Sequence, residues 1–151
     1  MRWRECDGKP PWRCESESSP TPGAVRFPWR PYNLSLRVSS WARELARRGD
    51  RLEPAFRARM AASLAAQLRF LADHLETDLR GNHLVKNLKA LLWGSTVFAG
   101  PEAEAWRTIG SSLLASELEE QVLPDGCHYE RSPPYHGQVL ADLIEARALL
   151  P

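Results

Sequence analysis

Two short segments of this sequence hold residue types that can do chemistry. The first is Arg80-Gly81-Asn82-His83. A carboxamide beside an imidazole can hydrogen-bond an anion and accept a proton, and a neutral imidazole at this position suits a base. The amides of a helix N-terminus also favour a bound anion such as a sugar carboxylate. The second segment, Asp125 to His136, reads DGCHYERSPPYH. It packs two His, two Tyr, two carboxylates, an Arg and a Cys into 12 positions. Loops positioned by a rigid scaffold are where binding and catalytic groups concentrate. Each segment also has a structural account. Asn82 can N-cap the following helix; Glu130 can pair with Arg131, and His128 can cap a helix. Composition alone leaves both accounts open.

The elements that must carry these segments are helical. Pro31-Tyr32-Asn33 leads into a first helix over about 34–48, ended by Gly49. Pro54 suits the first turn of a second, in which Phe56, Met60, Leu64, Leu68, Leu71 and Leu75 recur at steps of three and four. Leu84, Leu88, Leu91, Leu92, Ser95 and Phe98 give a third helix the same rhythm. Gly100-Pro101 separates it from a fourth over about 102–122, with Trp106, Ile109, Leu113 and Leu118 inside. Pro124-Asp125-Gly126 is a turn. A last helix after Pro133 carries Val139, Leu140, Leu143 and Ile144. No stretch alternates with period two, so the expected class is all-α: antiparallel helical hairpins with short connections.

Residues 1–31 hold six of the 12 prolines and a Ser/Glu cluster at 15–19, and read as a disordered segment ahead of a helical domain over 32–151. Trp3, Trp12 and Trp29 are odd for a free tail and suggest docking on a neighbouring surface. With 151 residues the chain is one domain or a piece of one. A formal charge of +1 gives no argument for nucleic acid or an anionic membrane. Arginine supplies nearly all the positive charge, with Lys only at 9, 86 and 89, and suits capture of carboxylate or sulfate. Cys6, Cys14 and Cys127 form no disulfide framework, and no Cys or His spacing fits a standard metal site. No cofactor and no metal are expected. No run is apolar enough for a membrane span, and no secretory signal is read at the N-terminus, which points to a cytoplasmic chain or a truncated start.

GNHLVKNLKAL at 81–91, followed by EQVLPDGCHYERSPPYH at 120–136, closely resembles the helical domain of heparinase II/III-type polysaccharide lyases. WRPYNLSLRVSSW at 29–41 resembles the stretch ahead of those helices, so the likeness covers roughly residues 29–150. The resemblance implies part of an incomplete α/α toroid and β-elimination of a uronic-acid-containing, anionic polysaccharide. It implies Asn82 as neutraliser of the uronate carboxylate, His83 as neutraliser or base, and Tyr135 as proton donor to the leaving oxygen. His128, Glu130, Arg131 and His136 are then placed in substrate binding or support, with Arg131 or His136 poising Tyr135. Tyr129 is the competing tyrosine, more structural in such relatives; Asn87, one turn beyond His83, faces the same cleft or packs against its neighbours. Cys127 stands where a glycine is common. These lyases add a β-sandwich that completes the cleft, and this chain has no strand-rich portion. The reading is therefore of a fragment, an incomplete gene product or half of a split protein, with a separate β-sandwich chain or domain as partner. Two other readings stand beside it: a non-catalytic module that holds anionic glycan, and an α/α-toroid glycoside hydrolase using Asp125 and Glu130 as paired carboxylates.

Overall fold

A computed structural model describes residues 27–150. Five helices follow in order: α1 Pro31–Arg48, α2 Pro54–Asp73, α3 Gly81–Val97, α4 Pro101–Gln121 and α5 Pro133–Leu149. Among the described residues there is no strand, only an isolated bridge between Val122 and His128. The all-α class read from the sequence holds. Proline stands in the first turn of α1, α2, α4 and α5, where its missing N–H costs nothing. Glu53 caps α2 by accepting from the N–H groups of Ala55 and Phe56 at 2.8 and 2.7 Å, and those bonds hold its carboxyl below the usual range.

The contacts fix the direction of each helix. Tyr32, Ser35 and Arg43 of α1 meet His83, Asn87 and Trp93 of α3 in ascending order, so these helices run parallel. Lys86, Lys89 and Trp93 meet Asp142 and Glu145 in the same sense, so α5 runs parallel to α3. Arg80 reaches Glu117 while Arg107 reaches the Ser95 carbonyl, so α4 is antiparallel. The result is one layer of α1, α3 and α5, with α2 and α4 hairpinned onto it. The N-termini of α1, α3 and α5 therefore lie along one rim.

Helix α3 is the centre, with 13 of its 17 residues buried, polar as well as apolar. Leu64, Leu68 and Leu71 of α2 and Val38 and Ala42 of α1 pack on Ala90 and Leu91, joined by Ala103 and Trp106 of α4. Gly94 lets α2 come close: a Cβ there would stand 2.6 Å from a Leu68 methyl. On the other side Leu84, Val85, Leu88 and Leu92 pack with Leu114 and Ala146.

Two of the three lysines lie buried in this seam. Lys86 and Lys89 each donate to Asp142 at 2.6 Å. Lys89 also donates to Glu145 at 2.7 Å, which accepts from Trp93 at 2.9 Å and from Arg43. Burial pushes the Glu145 carboxyl up, but the bonds from Lys89, Arg43 and Trp93 prevail and bring it to about 2. The polar network ties α1, α3 and α5 together.

Several expectations need correction. The first turn of α3 begins at Gly81, and the capping position is Arg80, with no side-chain cap. Asn82 is thus inside the helix and does not N-cap it. Of the α4 residues placed inside, Trp106 is buried but Leu113 and Leu118 are exposed, and Leu114 takes the core position. On α5, Val139 and Leu143 face inward, whereas Leu140 and Ile144 are solvent-facing, Ile144 at 64%. Trp29, in a 3-10 turn at Phe27–Trp29, docks edge-on to Phe70 with centroids 5.3 Å apart. Trp3, Trp12, Cys6 and Cys14 lie outside the described residues, as does most of the segment read as disordered.

Candidate functional site

The rim formed by the N-termini of α1, α3 and α5 carries the residues singled out in both segments. Arg80 and Gly81 enter α3 with φ of 53° each, a left-handed corner. Glycine is required at 81 for a second reason. A Cβ there would lie 2.6 Å from Glu130 Oε1 and 3.3 Å from the Tyr129 hydroxyl. The second segment thus packs directly on the first. Arg80 donates to Glu117 at 2.8 Å and to Glu120, and these bonds hold its guanidinium above its ordinary value.

Asn82 follows in the first turn, 8% exposed. Its carboxamide makes no hydrogen bond among the described residues. His83 is half-exposed beside it, its Nδ1 3.1 Å from Glu76 Oε1 and its ring tilted over Tyr32 with centroids 4.5 Å apart. Neither Glu76 nor Tyr32 was given a role from the sequence: each sits outside the two segments, and Tyr32 was read only as part of the lead into the first helix. Asn87 does not face a cleft. It is fully buried and spends its amide on Ser35 Oγ at 2.9 Å and on Glu76, which it both donates to and accepts from.

The loop 122–132 is held by its own bonds. Tyr129 N–H donates to the Gln121 carbonyl at 2.8 Å, and Leu123 N–H to that of Cys127 at 2.9 Å. Asp125 accepts from the Cys127 N–H at 2.9 Å, a turn in which its carboxylate serves the loop. His128 is 2% exposed and caps no helix. Gln121 donates to Glu117 and to the Gly81 carbonyl, so its oxygen accepts from His128 Nε2 at 3.0 Å, and Nδ1 is left unpaired. Burial pushes the His128 imidazole down, against the pull of Glu130. His128 N–H donates to His136 Nδ1 at 3.2 Å. His128 and His136 thus brace the loop, and His128 is too buried to reach a ligand.

Glu130 lies against Gly81, but no ion pair joins it to Arg131 among the described residues. Arg131 is exposed with φ 51°. Partial burial and Glu130 push the Tyr129 phenol up, with Arg80 pulling the other way, so it resists losing its proton. Tyr135 stands in the first turn of α5, 43% exposed. No hydrogen bond joins it to Asn82, His83, Arg131 or His136. The structure therefore gathers Gly81, Tyr129, Glu130, His128 and His136 into one packed unit, with Asn82 nearly buried in the first turn of α3 and His83 and Tyr135 partly exposed outside it. Among the described residues no group of three His, Cys, Asp or Glu side chains is placed to hold a metal, and no helix is long and apolar enough to cross a membrane.

Comparison of the sequence with known proteins shows the family. The family profile described as heparinase II/III N-terminus matches residues 9–150, and the chain belongs to that family. It is 29% identical over 140 residues to a heparin-sulfate lyase of Bacteroides thetaiotaomicron, covering 89% of this chain and 20% of the relative. It is 32% identical over 124 residues to a heparin-sulfate lyase of Pedobacter heparinus, covering 80% and 18%. A third heparin-sulfate lyase, of Bacteroides stercoris, is 27% identical over 115 residues, covering 74% and 17%. The chain spans about a fifth of the length of these relatives. No solved structure matches it.

Proposed function

We propose that this chain forms the helical wall of a polysaccharide lyase cleft, cutting a uronic-acid-containing polysaccharide of the heparan sulfate or alginate kind by β-elimination. The observation that carries the reading is the Asn82 carboxamide, nearly buried and without a partner, beside a His83 ring held by Glu76. An amide whose hydrogen bonds are not spent within the protein is free to spend them on a ligand.

The chemical problem is the C5–H of the uronate, a very poor acid beside an ionised carboxylate. Asn82 donates to that carboxylate where charge accumulates in the enolate-like intermediate, helped by the amides of the α3 terminus. His83 Nε2 takes the C5 proton or, already protonated, adds a second donor. The C5–H electron pair becomes the C4–C5 double bond as the C4–O bond breaks, and Tyr135 gives its proton to the departing oxygen. Arg131 and Glu130 bind or support around this centre, while His128 and His136 support it by bracing the loop. The facing wall is a β-sandwich chain or domain.

The exposed Tyr135 phenol has no cation or imidazole bonded to it, which favours a second reading: a module that holds anionic glycan without cutting it. The purified chain, alone and with a β-sandwich partner, is offered heparin, heparan sulfate and alginate, and near-ultraviolet absorbance of unsaturated ends is followed. Absorbance growth that Tyr135→Phe abolishes supports elimination and excludes hydrolysis, which creates no double bond. Glycan binding without absorbance supports the module. Neither binding nor absorbance sinks both.

A further inference from the structure

We infer that Glu76 is the positioning residue that sets the tautomer of His83, presenting a bare Nε2 to the rim. The inference rests on the assignment of His83 to the cleft.

Glu76 lies in the connection between α2 and α3, which by itself has no regular backbone to fix a side chain. Asn87 supplies the missing rigidity. Its Oδ1 accepts from the Glu76 N–H at 2.9 Å, while its Nδ2 donates to Glu76 Oε2 at 3.0 Å. One amide on the buried centre of α3 thus grips both ends of Glu76. The same Nδ2 donates to Ser35 Oγ at 2.9 Å, tying the grip to α1. With Oε2 committed, Oε1 is aimed at His83 Nδ1, 3.1 Å away, and the Glu76 side chain is only 12% exposed.

An ionised carboxylate accepts and cannot donate, so the proton between the two must sit on Nδ1. In the neutral ring Nε2 then carries the lone pair; in the charged ring Nε2 carries a proton. Either way the exchangeable proton is the one on Nε2, which has no partner among the described residues. Tyr32 covers a face of the ring at a 36° tilt, so rotation that would swap the two nitrogens is opposed by both stacking and hydrogen bonding. A base and a donor on one residue differ, on this account, by a single proton at a single atom.

The test is nitrogen-15 NMR of the histidine-labelled chain at pH 8, with His83 assigned by loss of its signals in His83→Gln. The expected wild-type spectrum has Nδ1 protonated and Nε2 bare. Glu76→Ala redistributes the ring toward Nε2–H, and Glu76→Gln does the same, because its one oxygen is claimed by Asn87 Nδ2 and its N–H then faces Nδ1. The wild-type measurement needs no variant to fold, and finding Nε2–H there overturns the inference. A His83 pattern unchanged in a folded Glu76→Ala overturns it too. Adding a heparan sulfate tetrasaccharide separates this from the functional reading: it is expected to move Nε2 and spare Nδ1. An Nδ1–H ring that ignores the glycan overturns the placing of His83 in the cleft and leaves the role of Glu76 in setting the ring intact.

Discussion

Asp142→Ala is expected to be among the most damaging single changes in this chain, although Asp142 is not one of the residues assigned to the cleft. The carboxylate is 5% exposed and holds two ammonium groups at 2.6 Å, those of Lys86 and Lys89, themselves nearly buried. Truncation leaves Lys86 with no counter-charge and Lys89 with Glu145 alone. Breaking a buried pair by removing one partner costs roughly 3–5 kcal/mol, because a charge stays buried uncompensated. At about 3 °C per kcal/mol for a chain of this size, the melting temperature falls by about 9–15 °C. Thermal unfolding followed by circular dichroism at pH 7 measures this. The triple change Lys86→Met, Lys89→Met, Asp142→Leu should recover most of the loss, since apolar replacement of a whole buried ionic group is often neutral or better. A fall of less than about 3 °C for Asp142→Ala would refute the reasoning, as would a triple variant no better than the single one.

Three other outcomes follow from the packing and the charges. Gly94→Ala drives a methyl to 2.6 Å from the buried Leu68 side chain, and overpacking of this kind costs about 1–3 kcal/mol, readable as a lower denaturant midpoint with unchanged slope. His128 has a depressed folded value, so its neutral form stabilises the chain above the ordinary 6.5, and stability is lost as pH falls below that; His128→Gln should flatten the dependence just below about pH 6.5, and an identical slope in the variant would be evidence against it. Glu145 is also depressed, so its contribution is present above about 4.5 and lost as pH falls toward about 2; urea titrations of Glu145→Gln over that window should show a shallower decline than the parent chain.

The helices were legible because each carries its own evidence: first-turn prolines and a three–four apolar rhythm are local. What escaped was nonlocal or irregular. Lys86 and Lys89 sit in an apolar rhythm, and their partner Asp142 is too distant in sequence to suggest itself. Glu76 lies in a connection, where no period constrains a side chain, so its hold on His83 could not be read. Asn82 looked like a cap because asparagine favours that role; the left-handed Arg80–Gly81 corner moves the helix start ahead of it. Leu113 and Leu118 fit a stripe, but α4 meets only α3 closely, and a narrow contact leaves the stripe's edge wet. The Asp125–His136 loop was dense in chemical groups for a structural reason as well, since half of them brace the loop against Gly81. The family itself was legible from wording and order of two motifs, which no single helix would have given.

The corner at Arg80 reaches further than its two residues. A non-glycine side chain at φ 53°, ψ −142° stores roughly 1–3 kcal/mol of backbone strain, which persists only where surroundings over-determine it. Here the constraint comes from Glu117 and Glu120 on another helix. The first turn of α3, and with it the direction in which Asn82 offers its amide, is consequently under tension from α4. Substitutions at Glu117 would release that tension and retune the rim without touching any group on it, a route by which such a site can drift in affinity while its own residues stay the same.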